Sequence, residues 1–65
     1  MNLSKQTERI INACHSMTDC DIQRSWDLLA WRAEWQIERG TSIAKHFVEA
    51  LNFYMERYDG QFIWQ

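Results

Sequence analysis

Cys14, His15, Cys20 and His46 carry between them the sulfur and imidazole atoms of a tetrahedral zinc site. Their spacing argues against one. Five residues separate Cys14 from Cys20, where zinc-binding pairs leave about two to four. His15 follows Cys14 directly and so points elsewhere on a helix, and Cys14 itself falls on an apolar stripe. The two thiols read as a small buried cysteine and a turn cysteine, and no metal ligand is assigned. His46 and Glu49 stand three apart on one helical segment, a pairing that reads as hydrogen bonding on a polar rim. Nucleophilic or acid-base catalysis needs a nucleophile, a base and an orienting group gathered in one concave site. A 65-residue chain built as a helical hairpin offers little concavity, so the sequence predicts a non-enzymatic protein with no catalytic residue and no cofactor.

The segment Arg39-Gly40-Thr41-Ser42-Ile43-Ala44-Lys45 superficially resembles the turn of a helix-turn-helix, whose second helix would enter the major groove. That family places a small residue four positions before the turn glycine; here Gln36 holds that place and Ala33 lies seven before Gly40. Lys45, His46, Asn52 and Arg57 are scattered among carboxylates. Seven Lys and Arg against nine Asp and Glu leave a formal charge of −2, without the basic stripe that neutralises phosphates. Nucleic acid is therefore not the expected partner, and a dimeric DNA-binding or transcription-modulating protein is the rival reading.

The run from Asp21 to Arg39, taken as a helix at about 100° per residue, carries apolar residues on two opposite sides. Ile22, Trp26, Leu29, Ala33 and Ile37 form one stripe, which is assigned to the protein's own core. Leu28, Trp31 and Trp35 form the other, flanked by the acidic Asp27, Glu34 and Glu38 and by the basic Arg32 and Arg39, with Arg24 near the stripe itself. Apolar contact between charged edges is the pattern of half a coiled-coil seam. The sequence predicts that this face, joined by Trp64 of the tail, forms a dimer or partner interface, and that two antiparallel copies would satisfy both flanks. The competing expectation is that the first helix or the tail covers it within one chain.

The elements that must position these residues are legible from caps and breakers. Proline is absent and Gly40 and Gly60 are the sole glycines, which favours long helices ending at those two points. The first helix is expected over 4–15, capped by Ser4, with Leu3, Ile10, Cys14 and Met17 on one side and Thr7 and Ile11 beside them. The second is expected over 19–39, with Thr18 and Asp21 at capping-box spacing. The third is expected over 42–58, capped by Thr41 or Ser42 and walled by Ile43, Ala44, Phe47, Val48, Ala50, Leu51, Tyr54, Met55 and Tyr58. A connection as short as 40–42 folds the second and third helices into an αα-hairpin, with the first lying across it. The apolar tail 61–65 must dock on something, and packing on that hairpin is expected ahead of reaching a partner subunit. The fold class is thus all-α, a short first helix plus a long αα-hairpin in a single domain over 1–65, assembled as a dimeric helical bundle because a chain of this size buries only about 60% of its unfolded surface.

No apolar segment approaches the roughly 20 residues of a membrane span, and no signal-peptide core follows Met1. Two cysteines are too few for a disulfide scaffold. These features predict a cytoplasmic protein. A compact, proline-free, tryptophan-rich, mildly acidic helical chain starting at Met1 resembles the small accessory proteins made from the early regions of lambdoid bacteriophages. That resemblance spans the full length and rests on size and texture, without a motif, so it transfers no functional residue. It implies a protein that acts in the host cytoplasm by contacting, and so modulating or sequestering, a larger host protein.

Overall fold

The computed structural model describes residues 3–63 and contains three helices, with no strand among the described residues. α1 spans Lys5–Met17, α2 Ile22–Arg39 and α3 Ala44–Arg57. Each packs against the other two. The αα-hairpin of α2 and α3 and the crossing α1 match the expected architecture.

Ser4 caps α1 as its type and place predict: it has extended backbone, and its hydroxyl accepts from the Thr7 amide at 3.2 Å. At the next start the cap is Asp21, whose carboxylate accepts from the Arg24 amide at 2.9 Å. Thr18 was the expected cap, and the structure corrects this. Its hydroxyl turns back to donate to the Cys14 carbonyl at 2.6 Å, closing α1 instead of opening α2, a competing local bond that Thr forms readily. Between them Asp19 (φ 52°) and Cys20 (φ 61°) both occupy the left-handed region, which costs an L-residue about 1–2 kcal/mol.

α2 ends at Gly40, whose φ of 65° and bonds to the Gln36 and Ile37 carbonyls make a left-handed helix stop. α3 begins two residues later than expected, at Ala44, with Ile43 in the cap position and no side-chain cap. Thr41 is unavailable for capping because its hydroxyl donates to Gln36 Oε1 at 2.6 Å, satisfying a buried amide.

The core is built from Ile10, Ile11 and Cys14 of α1, Trp26, Leu29 and Ala33 of α2, Phe47, Ala50 and Tyr54 of α3, and Phe62 of the tail. Four expected core residues are displaced outward: Met17, Ile37, Val48 and Met55 are exposed. For α2 the reason is rotational. Ser25 and Gln36 are buried, so the inward face is centred on Leu29 and turned away from Ile37. The described part of the tail packs on α2 of the same chain, with Phe62 stacked on Trp26 at 4.5 Å and the Ile63 amide donating to Gln23 Oε1 at 2.6 Å.

Candidate functional site

The outward side of α2 is the candidate site. Counting 100° per residue from the buried Leu29, the opposite direction falls at Trp31, and the Trp31 indole is 66% exposed. Trp35, one turn on, is 44% exposed. The Arg39 guanidinium lies over the Trp35 ring at 3.9 Å from its centroid, a cation-π contact that fixes both groups at the surface. A hollow of about 460 Å³ lined by Trp26, Asp27, Ala30, Trp31 and Glu34 lies on one side of the Trp31 ring. A smaller one, of about 170 Å³, is lined by Trp31, Arg32, Trp35 and Gln36 on the other. Trp31 therefore stands as a knob between two depressions.

The flanks follow the sequence reading in part. Arg24, Asp27, Glu34 and Glu38 are exposed, and Asp27 accepts from Gln23 Nε2 at 3.0 Å. Glu34 and Glu38 make no side-chain hydrogen bond or ion pair among the described residues. Leu28 is half-buried and packs against the core, so it lies at the margin of the face. Arg32 is half-buried too, its guanidinium 5.6 Å from the Phe47 ring centroid. Trp64 lies outside the described residues. Neither α1 nor the described part of the tail covers Trp31, because Phe62 spends its ring on Trp26 instead.

The four candidate ligand residues are dispersed. Cys14 is fully buried and Cys20 exposed, while the His15 ring packs on Tyr54 at 5.4 Å and Tyr58 at 6.1 Å. No group of three His, Cys, Asp or Glu side chains among the described residues is placed to hold a metal ion. His46 and Glu49 do more than decorate a polar rim. His46 Nδ1 hydrogen-bonds the Ser4 hydroxyl at 3.2 Å and the Thr7 hydroxyl at 3.4 Å, and Glu49 accepts from the Ser4 amide at 3.4 Å. Together they tie the start of α1 to α3. Sequence reasoning missed this latch because its partners lie 42 and 45 positions apart.

A second polar cluster lies inside the bundle. Ser25 bonds Thr18, and since the Thr18 proton is committed to the Cys14 carbonyl, Ser25 is the donor. The neighbouring Tyr54 hydroxyl is buried without a hydrogen-bond partner among the described residues. Burial pushes its pKa up to about 12; the Ser25 hydroxyl opposes that shift without reaching hydrogen-bond geometry. Burial likewise raises the Cys14 thiol, with Arg32 pulling the other way. These groups sit under packed side chains and line neither of the hollows beside Trp31.

No protein-family model, curated protein or solved structure matches this chain. No helix among the described residues is long and apolar enough to cross a membrane.

Proposed function

We propose that the chain is a small non-enzymatic protein-protein interaction module whose working surface is the outward face of α2, and that through it the chain modulates or sequesters a larger cytoplasmic protein. The observation that carries this is the exposure of two neighbouring indoles, Trp31 and Trp35, directly across the helix from the core. A domain this small has little apolar area to spare, and leaving two of its largest rings in water lowers what folding alone can gain. Tryptophan and arginine are the side chains that most often anchor protein interfaces. Here Arg39 is already held against Trp35, which reduces the ordering cost on binding. The likeness in size and texture to phage accessory proteins supports a host protein as the target.

The test is affinity purification from host lysate with the natural chain and with the Trp31→Ala/Trp35→Ala double variant. The natural chain retains a host protein that the variant loses while keeping its helical circular dichroism. A variant that retains the same protein overturns the assignment of this face.

A further inference from the structure

We propose that this face also receives a second copy of the chain, with the two α2 helices parallel and in register. The proposal rests on the outward face of α2 being an interaction surface and names one occupant for it. The residues repeat at sevens: Arg24, Trp31 and Glu38 on one row, Leu28 and Trp35 on the next, Asp27 and Glu34 on the acidic edge, Arg32 and Arg39 on the basic edge. Rows that repeat every seven residues stay on one side of a supercoiled helix pair, with apolar rows inside and charged edges facing the partner. Each acidic residue precedes a basic one by five, Asp27 to Arg32 and Glu34 to Arg39. Five residues is the offset at which the edges of two parallel helices meet. A second copy therefore presents Arg39 to Glu34 twice over, and no other partner is required to carry the complement.

Symmetry decides the direction. When two identical helices face each other about an axis parallel to them, left and right edges exchange, so acid meets base. When they are antiparallel each edge meets itself, setting Asp27 beside Glu34 of the second copy and Arg32 beside Arg32. The antiparallel pairing suggested by the sequence thus brings like charges together, and the parallel one replaces it. Arg32 leans toward Phe47, so Glu34 and Arg39, both exposed, form the pair wholly on the surface. Arg24 and Glu38 each meet their own copy at the ends of the seam, a like-charge cost of the parallel pair that the long side chains reduce by turning to water. Shape agrees with charge: each copy brings a Trp31 knob and the hollows on either side of it.

Sedimentation equilibrium of the natural chain, Glu34→Arg, Arg39→Glu, the double variant and an equimolar mixture of the two singles tests this. The natural chain is expected to dimerise at micromolar concentration, and each single variant to bind itself about tenfold or more weakly, since two attractive pairs become repulsive. The double variant and the mixture recover dimerisation, because opposite charges again face each other. Tighter self-association of Glu34→Arg, which relieves the Asp27 repulsion of an antiparallel pair, overturns the register, and so does no change. A natural chain that stays monomeric at 10-fold above that range overturns the second copy as occupant. The interaction reading then stands or falls separately, on whether the Trp31→Ala/Trp35→Ala variant loses its host target.

Discussion

Replacing Leu29 or Trp31 by alanine should separate the two sides of α2, because the side chains sit two residues apart and face opposite surroundings. Leu29 is wholly buried, and its truncation removes transferred area and leaves a cavity, together about 2–5 kcal/mol. A core of this size holds about 3–5 kcal/mol in all, so Leu29→Ala leaves a chain that is largely unfolded when warm. Trp31 is 66% exposed. The covered third of such a ring amounts to about 50–80 Å², or about 1–2 kcal/mol as an upper estimate. The remaining two thirds contribute to stability only when another molecule covers them. Urea denaturation followed by circular dichroism at two protein concentrations, about a hundredfold apart, reads both quantities. Leu29→Ala should lower the midpoint at both concentrations and keep whatever dependence on concentration the natural chain has. Trp31→Ala should lower it less than Leu29→Ala does in dilute solution and abolish the concentration dependence. Equal destabilisation by the two variants, independent of concentration, would refute the reasoning and make Trp31 a core residue.

Two further outcomes follow from single side chains. Asp21→Ala removes the bond to the Arg24 amide and should cost about 1 kcal/mol, seen as a melting temperature about 4–8 °C lower, whereas a Ser at this position should restore it. The Tyr54 hydroxyl titrates near 12 in the folded protein and at its ordinary value, 10.0, when unfolded. The unfolded chain then loses its proton first, so stability is complete below pH 10 and falls as pH rises toward 12, by about 1.4 kcal/mol per unit for this one group. Tyr54→Phe should flatten that decline and, having removed an unpartnered buried hydroxyl, should not destabilise at neutral pH; an unchanged alkaline slope in urea melts would refute this.

What the sequence revealed and what it hid divide along local and distant causes. Ser4 and Gly40 were legible because a cap and a left-handed stop depend on a few neighbouring amides and a single backbone angle. Trp31 and Trp35 were legible because helical phase is set by the helix itself. Ile37 was misplaced because hydrophobicity alone cannot show that Ser25 and Gln36 are buried; each has a hydrogen-bond partner there, Thr18 accepting from Ser25 and Thr41 donating to Gln36 Oε1. Thr18 was misread since two helix ends compete for its hydroxyl and only the folded turn decides between them. The hold of His46 and Glu49 on Ser4 depends on how α1 crosses α3, a relation that no local spacing encodes.

The two sulfurs have sharply different surroundings, Cys14 sealed beneath all three helices and Cys20 out on the strained turn between α1 and α2. That contrast gives the protein an internal clock. A thiol reagent meets Cys20 at once in the native state, while Cys14 reacts only during the moments when α1 lifts from its neighbours. With reagent in enough excess to outpace reclosing, the second, slower sulfur counts openings of the bundle one by one, and any molecule that settles on α2 and steadies it would register as a longer wait between counts.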